Sequence, residues 1–334
     1  MRAATSILVA PDAFKGTFSA RAVAVAASAG VAAAGAHAEA CPVADGGEGT
    51  MDVLLARLRG SSTVVPAHDP LGRALDATLG WLEGGATAVV EAAQASGLEL
   101  VLPDERDPER ASTYGTGELI AAAAAAGAQR IVVAAGGTAT SDGGTGALEA
   151  IEHAGGVRDA ELVVLCDVST PFEDAALRYG PQKGADAAAI ARLTTRLHAQ
   201  AAALERDPRG LPMTGAAGGL AGGLWARFGA CLVPGAAWVL DAVGLDARLQ
   251  RVDAVIVGEG RLDDQSFDGK IVGELATRCR RAAVAVHAIV GCCRLQEEEI
   301  ARMGLASVHL AATLDAVESA GAEVASIVVS HTRG

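Results

Sequence analysis

Aromatic side chains are scarce in this chain of 334 residues, because Phe, Trp and Tyr together make up only 3% of it. Hydrophobic residues nevertheless account for 51%, so the core must be aliphatic and built largely from alanine and valine. Such small side chains let helices pack closely against their neighbours. The chain is also longer than one typical domain, and its length predicts two.

Positive charge is scarce as well. The chain has 27 Lys and Arg against 40 Asp and Glu, a formal net charge of −13, and its densest basic stretch is the dispersed RCRR at 278–281. Such a protein repels a phosphate backbone, so we expect no nucleic-acid partner. An anionic substrate would need locally placed cations or a divalent metal ion.

The chain also lacks the patterns of disulfide, zinc and membrane proteins. None of its six cysteines forms a C-x-x-C pair, and all but Cys279 lie in or beside apolar stretches, where we expect small buried hydrophobes. The longest apolar run, LIAAAAAAGA at 119–128, is mostly alanine, which favours a helix rather than a membrane span. No signal-peptide pattern is present. We therefore expect a reduced, cytoplasmic protein without a membrane partner.

Several catalytic fingerprints are missing too. The nearest approach to a phosphate loop, DDQSFDGKI at 263–271, lacks the first glycine and the hydroxyl. GTGELI at 115–120 and GEGRLD at 258–263 lack the third glycine of a dinucleotide fingerprint. There is no G-x-S-x-G elbow, and the seven histidines show no paired spacing. Hydride transfer, hydrolase-type acyl chemistry and zinc chemistry therefore have no support in the sequence.

Strand and helix patterns alternate near both ends of the chain. SILVA at 6–10 predicts a buried strand, and Ser19 and Gly35 are suited to cap a helix over 20–35. Three further strands are predicted near the end of the chain, at 253–260, 283–293 and 306–313. Such alternation predicts parallel strands with right-handed crossovers.

The middle of the chain has a different pattern. Residues 74–93 alternate around a Gly-Gly turn and predict an antiparallel hairpin. We therefore predict an α/β protein with two domains. Residues 1–66 and 240–334 would form a Rossmann-like parallel-sheet domain, and residues 67–239 an inserted mixed α/β domain.

Three loops that combine acids with glycines each follow a predicted strand. They are PVADGGEG at 42–49, GGTATSDGGTG at 136–146 and GEGRLDDQSFDGK at 258–270. Ligands of open parallel sheets bind beyond the carboxyl ends of the strands. The backbone N–H groups of a glycine loop can surround an anion, and a following helix N-terminus adds partial positive charge. Loop 136–146 is therefore the candidate anion site.

The acids in these loops suggest a hard cation, because Mg²⁺ binds one or two carboxylates together with phosphate oxygens and water. The sequence offers five candidates: Asp45, Glu48, Asp142, Glu259 and Asp263. Cations occur in or beside the same predicted loops, as Lys15, Arg261 and Lys270. Such cations suit a carboxylate substrate or a transferred phosphoryl group.

Nine segments, spread in order over most of the chain, resemble signature segments of the bacterial class I glycerate kinases. They are APDAFKGTFSA (10–20), PVADGGEGT (42–50), DPLGR (69–73), TYGTGELI (113–120), GGTATSDGGTG (136–146), CDV (166–168), GPQKGA (180–185), GAAGGL (215–220) and VIVGEGRLDDQSFDGK (255–270). The resemblance implies ATP-dependent phosphorylation of D-glycerate, giving 2-phosphoglycerate and ADP, with Mg²⁺ at a cleft between two domains. A homodimer is compatible with it.

On this reading each candidate residue has an expected role. The catalytic group is Lys15, Asp45, Arg261 and Asp263, with Asp45 or Asp263 accepting the hydroxyl proton. The substrate-binding group is Asp12, Lys15, Arg261 and Lys270. The nucleotide-binding group is Gly136, Gly137, Thr138, Thr140, Asp142, Gly143 and Gly144, and the metal ligands are Asp45, Glu48 and Asp263.

The chain departs from the family pattern at several points. Ala13 replaces a serine, the segment near 155–161 is shortened, and Cys292–Cys293 replaces Ser-Leu. Two alternatives therefore stay open. One is a kinase for a related small hydroxy acid, and the other is a relative that binds ligands without catalysis.

Overall fold

The chain folds into two units, described by a computed structural model over residues 5–267 and 270–333. The first unit comprises Met1–Asp45 and Ala236–Gly334, and the second comprises Gly46–Gly235. The strands are β1 (Ser6–Pro11), β2 (His37–Ala40), β3 (Ser61–His68), β4 (Ala74–Leu82), β5 (Thr87–Glu91), β6 (Arg130–Ala134), β7 (Glu161–Cys166), β8 (Cys231–Pro234), β9 (Ala254–Leu262), β10 (Ala285–Cys293) and β11 (Ser307–Leu310).

Helices alternate with these strands, and short 3₁₀ turns occur between several of them. The helices are α1 (Ala20–Ala33), α2 (Thr50–Leu58), α3 (Ala93–Ser96), α4 (Tyr114–Ala125), α5 (Thr145–His153), α6 (Ala175–Tyr179), α7 (Ala187–Ala203), α8 (Leu220–Phe228), α9 (Gly235–Ala242), α10 (Leu245–Leu249), α11 (Ile271–Ala282), α12 (Glu297–Met303) and α13 (Leu314–Arg333). None of them, within the described residues, is both long and apolar enough to cross a membrane.

The sheet of the first unit is parallel throughout, with strand order β11-β10-β9-β1-β2. The chain passes from β1 to β2 on one side, and it later returns at β9 on the other side of β1. The strand order therefore reverses between β1 and β9, which pair from Ile7–Ala254 to Pro11–Gly258. Such a reversal leaves a crevice at the carboxyl ends of the two strands, where open α/β sheets bind ligands.

The predicted first helix and its caps are confirmed. The Ser19 side chain accepts a hydrogen bond from the Ala22 N–H at 3.2 Å, as an N-cap does. Gly35 follows the helix with φ of 83°, a left-handed conformation that glycine adopts without steric cost. The predicted parallel strands at both ends are confirmed as well, and their core is aliphatic, with Ile7, Ile256 and Val317 fully or nearly fully buried.

The sheet of the second unit is mixed, with strand order β3-β4-β5-β6-β7-β8. Strands β3 to β5 are antiparallel neighbours, while β5 to β8 pair in parallel. The hairpin predicted over 74–93 is confirmed by the antiparallel pairing of β4 with β5. Its turn places Glu83, Gly84 and Gly85 at positive φ.

The first boundary between the units differs from the predicted one. The sequence predicts it after residue 66, whereas in the structure it lies after Asp45. Strand β3 pairs with β4 along its whole length, and α2 packs on β4, where a Cβ on Gly80 would lie 2.9 Å from Met51 Cγ. These long-range contacts assign α2 and β3 to the second unit. The second boundary lies at 235/236, four residues before the predicted one.

Cysteine burial also differs in part from expectation. Cys41 and Cys166 are buried as predicted, and Cys279, which lies outside the apolar stretches, is buried too. Cys231 and Cys292 are exposed. Both lie at strand positions, where alternate side chains point to opposite faces of a sheet, so an apolar neighbourhood in sequence does not fix burial.

The packing of α1 against α13 generates a first prediction. A Cβ atom on Gly30 would overlap the Glu318 carbonyl and lie 2.8 Å from Ala322 N, both of them backbone atoms that cannot rotate away. We expect Gly30→Ala to lower the free energy of unfolding by about 1–3 kcal/mol through overpacking. Denaturant unfolding measures the change. Val25→Ala on the exposed face of α1 is the control, and equal stability of both variants would contradict this packing.

Candidate active site

A cavity of about 500 Å³ opens in the first unit where β1, β9 and β10 end. This is the edge of the sheet at which the strand order reverses. Its lining includes seven residues that the sequence singles out: Asp12, Lys15, Asp45, Glu259, Arg261, Asp263 and Lys270. The structure therefore brings together side chains from three separate segments of the chain.

Close contacts between backbone segments lie beside this cavity. The Asp12 N–H donates to the Gly258 carbonyl at 2.8 Å, which ties the segment after β1 to β9. A Cβ atom on Gly291 of β10 would lie 2.6 Å from Gly260 O of β9. Position 291 therefore needs glycine, because a side chain there would push the two strand ends apart.

Lys15 and Asp45 form an ion pair across the cavity wall. Lys15 Nζ donates to Asp45 Oδ2 at 3.0 Å. The two side chains differ greatly in exposure, at 54% for Lys15 and 4% for Asp45. The buried carboxylate is thus charge-compensated by an ammonium group that still faces solvent, and that group remains available to an anionic ligand.

Asp12 is a further buried acid of the cavity. Its Oδ1 accepts the Ala13 N–H at 2.6 Å, and the residue is only 4% exposed. Burial raises the pKa of Asp12 well above its usual range, and the nearby negative charge of Asp45 raises it further. The positive charge of Lys15 acts in the opposite direction but is outweighed.

Glu259 is a fourth acid in the same cavity, where the sequence makes it a candidate ligand for a hard cation but gives it no role in the reaction. It is buried, and its Oε1 accepts a hydrogen bond from Ser266 Oγ at 2.7 Å. Burial raises its pKa to about 7, with Asp263 and Asp45 adding to the shift while Ser266 and Lys270 oppose it. Its sequence signal is its place in the acidic glycine loop GEGRLD, two residues before Arg261.

The donor set of this cavity fits a hard divalent cation, because buried carboxyl groups of like charge repel one another unless a cation or proton compensates them. Within residues 5–267 and 270–333, no three His, Cys, Asp or Glu side chains are placed to form a metal-binding group by themselves. Mg²⁺ does not require such a group, since it binds one or two carboxylates and completes its shell with water and phosphate oxygens.

The second unit contains the rest of the first acidic loop. Gly46 has φ of 94° and lies against Gly235, and a Cβ on Gly136 would lie 2.6 Å from Gly47 Cα. The exposed Glu48 extends to within 3.7 Å of the position that a Cβ on Gly137 would take. Loops 46–49 and 136–146, which the sequence treats separately, are thus neighbours in one unit.

Glu91 anchors this loop from the end of β5. Its Oε1 accepts the Met51 N–H at 2.7 Å, and its carboxylate is also hydrogen-bonded to the Gly49 backbone. Helix α2 has no side-chain cap of its own, because Gly49 is its N-cap residue. A carboxylate forty positions away in sequence therefore caps the helix, and such a remote partner has no local sequence signal.

Asp142 lies in the second unit as well, and its carboxylate is engaged within the loop. It accepts hydrogen bonds from the Thr113 N–H and hydroxyl, both at 2.8 Å, and from the N–H groups of Gly144 and Gly146 at 3.1 and 3.2 Å. Gly143 and Gly144 have φ of 66° and 80°. Asp142 thus shapes the turn before α5, and its contact with a nucleotide stays a prediction.

The first half of the same loop rests on a lysine that the sequence analysis did not select. Lys183 Nζ donates to Thr138 Oγ1 at 3.3 Å and to the Thr140 carbonyl at 2.6 Å. Both threonines are buried, and Gly137 has φ of 70°. The signal that could have identified Lys183 is its segment GPQKGA, one of the nine that resemble glycerate kinases.

Comparison with known proteins gives consistent matches over nearly the whole chain. A model of the glycerate kinase family matches residues 7–155 and 152–332. A glycerate kinase of Halalkalibacterium halodurans is 35% identical over 323 residues, covering 86% of this chain and 85% of that protein. A glycerate 2-kinase of Escherichia coli is 36% identical over 320 residues, covering 84% of each chain.

A solved structure agrees with these sequences. It is a protein of Salmonella typhimurium LT2, provisionally assigned as glycerate kinase 2, with a TM-score of 0.82 and 32% identity. The match covers 99% of this chain and 100% of that one. The predicted α/β fold class is confirmed by this match together with the two sheets.

The burial of Glu91 generates a second prediction. Burial raises its pKa from an ordinary 4.5 to about 7, and the negative charges of Asp52 and Glu48 add to this. Between these two pH values the folded protein binds more protons than the unfolded chain, so Glu91 makes stability fall as pH rises from about 4.5 to about 7. We expect Glu91→Gln to remove this dependence, on the order of 3 kcal/mol, since one pKa unit corresponds to about 1.4 kcal/mol.

Thermal denaturation at several pH values between 5 and 7.5 measures the effect. Glu83→Gln, at the exposed hairpin turn, is the matched control and should keep the pH dependence of the parent protein. The assignment is wrong if Glu91→Gln and Glu83→Gln follow the same curve. Other buried carboxyl groups contribute equally to all three proteins and cancel in the comparison.

Proposed function

The chain belongs to the glycerate kinase family, as its nine segments predicted, and on that premise we propose that it transfers the terminal phosphoryl group of ATP to the 2-hydroxyl of D-glycerate. The enzyme is a kinase, and phosphorylation of glycerate is the activity that its family supports. The products of the proposed reaction are 2-phosphoglycerate and ADP. The interdomain cleft, the cytoplasmic location and the homodimer stay predictions from the sequence.

The observation that carries the proposal is the cavity at the β1/β9 reversal, in which four acids and three cations converge. Glycerate is a small anion with a carboxylate and two hydroxyl groups, so it needs cations for the carboxylate and a proton acceptor for the hydroxyl. Lys15, Arg261 and Lys270 supply the cations. A charged hydrogen bond to a carboxylate is the interaction that best orients such a substrate.

The hydroxyl proton has candidate acceptors in the same wall. Asp45 and Asp263 are the two that the sequence favours, and the cavity adds Glu259. A general base works best when its pKa lies near the working pH, and burial raises the pKa of Glu259 to about 7. In phosphoryl transfer most of the catalysis comes from positioning and charge neutralisation, which these fixed groups would provide.

The triphosphate is assigned to loop 136–146 of the second unit. Support comes from its glycines at positive φ, which let the backbone of the loop approach a ligand closely. Because the Asp142 carboxylate is engaged internally, the phosphate contacts would come from backbone N–H groups and from Thr138. Gly136, Gly137, Thr140 and Gly143 remain proposed nucleotide-binding residues because they form part of this loop.

Mg²⁺ fits the acids of the first-unit cavity by the chemistry of their oxygens. Asp45 and Asp263 line that cavity and would hold the ion, and Glu48 as a third ligand stays a prediction from the sequence. When bound, Mg²⁺ would neutralise negative charge on the phosphates. The protein groups would meanwhile bind the carboxylate, orient the hydroxyl and accept its proton.

A kinase for another small hydroxy acid is the alternative that one observation favours. Cys292 lines the cavity and pairs with Arg261 across the β9–β10 ladder. A larger and less polar thiol in place of a hydroxyl changes the wall that faces the substrate. An ADP-release assay with glycerate, lactate, tartronate and glycolate decides between them, and absence of glycerate turnover would overturn the proposal. Ligand binding without any turnover would favour the non-catalytic alternative.

The Lys15–Asp45 pair generates the third prediction. Lys15→Ala removes a cation that faces the cavity, and Asp45→Asn removes the charge that holds it. Each should reduce kcat/KM for glycerate by at least ~100-fold, the scale on which a positioned electrostatic group contributes to catalysis. The matched controls are Arg21→Ala and Asp264→Asn, which change exposed residues. Near-normal rates in both Lys15→Ala and Asp45→Asn would refute these roles.

A further inference from the structure

Lys183 is a buried cation behind the glycine loop. It ends the 3₁₀ turn Pro181–Lys183, and Gly184 follows it with φ of 95°. The residue is 4% exposed, and its ammonium group donates to Thr138 Oγ1 and to the Thr140 carbonyl. A lysine is seldom buried this deeply, because removing the ammonium group from water is unfavourable unless another charge or strong hydrogen bonds compensate.

We propose that Lys183 is the positioning cation of the nucleotide loop: it fixes residues 138–140 from beneath and attracts the triphosphate without being exposed to it. This inference rests on the proposed assignment of ATP to loop 136–146. It gives a role to the segment GPQKGA, which the proposed reaction leaves without one. A buried cation at this position would favour binding of a polyphosphate group and would contribute little to binding of a nucleoside.

The charges around Lys183 leave its positive charge only partly compensated. Two acids face it, Asp142 and Asp167, and both favour the ammonium form. The Asp142 carboxylate already accepts hydrogen bonds from Thr113, Gly144 and Gly146, so much of its charge is stabilised elsewhere. Burial outweighs both acids and lowers the pKa of Lys183 to about 8.

Two arginines add positive charge on the same side of the loop. Arg196 Nη2 donates to the Ser141 carbonyl at 2.9 Å. Arg106 packs against the residue after Lys183, where a Cβ on Gly184 would lie 3.0 Å from Arg106 Cβ. Neither arginine can compensate the positive charge of Lys183, because both are cations themselves, whereas an incoming anion would compensate it.

The loop itself carries unused hydrogen-bonding capacity. The hydroxyls of Thr140 and Ser141 are fully buried, and neither has a hydrogen-bond partner within the described part of the chain. Buried hydroxyls are normally paired with protein or with ordered water. The loop that Lys183 fixes therefore contains two hydroxyl groups that can still form hydrogen bonds. Such groups are expected beside a phosphate site, where oxygen atoms or water molecules could pair with them.

The proposal predicts that ATP binding is linked to protonation of Lys183. An anion placed near the loop favours the ammonium form and raises its pKa, so the protein should take up protons when ATP binds above pH 8. For the same reason ATP affinity should fall as pH rises through 8. At pH 8.5 the phosphates of ATP are fully ionised, because their last pKa lies about two units lower, so they contribute little to the proton balance.

Isothermal titration calorimetry tests this with ATP and with adenosine as probes. At pH 8.5, in buffers of different ionisation enthalpy, the parent protein should take up part of a proton with ATP and none with adenosine. Lys183→Met should abolish that uptake, and at pH 7.5 it should weaken ATP binding by ~10–100-fold while changing adenosine binding less than 3-fold.

Arg192→Met removes an exposed cation that pairs with Glu109, and it is the matched control. It should leave ATP affinity and proton uptake unchanged. If Lys183→Met does not fold, proton uptake and the pH dependence of ATP affinity in the parent protein still test the inference. Equal weakening of ATP and adenosine, or no proton uptake by the parent protein, would overturn the inference. Absence of ATP-dependent turnover in the parent protein would overturn the proposed function instead.

Discussion

Repulsion between buried carboxyl groups is the constraint that organises the first unit. Asp12, Asp45 and Glu259 are each less than one-tenth exposed, and all three line one cavity. Carboxylates in such a setting are stable only with a proton, a cation or a hydrogen-bond donor beside each of them. Asp45 has Lys15, Glu259 has Ser266, and Asp12 has the Ala13 N–H. This arrangement favours a ligand that brings positive charge or donates a proton.

The fold provides this crowding through backbone contacts rather than through large side chains. Gly291 and Gly260 let β10 approach β9, and the segment after β1 is tied to Gly258. In the second unit, Gly47 and Gly136 play the same part for loops 46–49 and 136–146. The glycines beside the acids therefore have a structural cause: they bring chain segments close enough for side chains from distant positions to share one site.

Much of the fold could be predicted because its signals are local. Ser19 caps α1 and Gly35 ends it, and the Gly-Gly turn joins β4 to β5 as their sequences indicate. The unit boundary could not be predicted, since it depends on the pairing of β3 with β4 and the packing of α2. Both are contacts between residues far apart in sequence, and periodicity does not report on such partners.

The candidate site could be predicted in part, as the fold could. Residues that lie directly after strands β1 and β9 converge as the sheet topology requires. Residues whose importance comes from a remote partner were missed or left without a role. Glu91 caps a helix forty positions away, and Lys183 reaches Thr138 from a separate turn. Asp142 shows the opposite case, because its sequence position suggests a ligand contact while its carboxylate is engaged with Thr113.

Burial acts with opposite sign on the two kinds of charge that a phosphotransferase requires. It raises the pKa of Glu259 to about 7, so that this carboxyl can accept a proton only as pH rises towards neutrality. It lowers the pKa of Lys183 to about 8, so that this side chain loses its charge on the alkaline side. With Glu259 as a proposed base and Lys183 as the proposed cation of loop 136–146, burial limits the pH interval in which both side chains are charged. This pH interval follows from the burial of one glutamate and one lysine, without any special residue type.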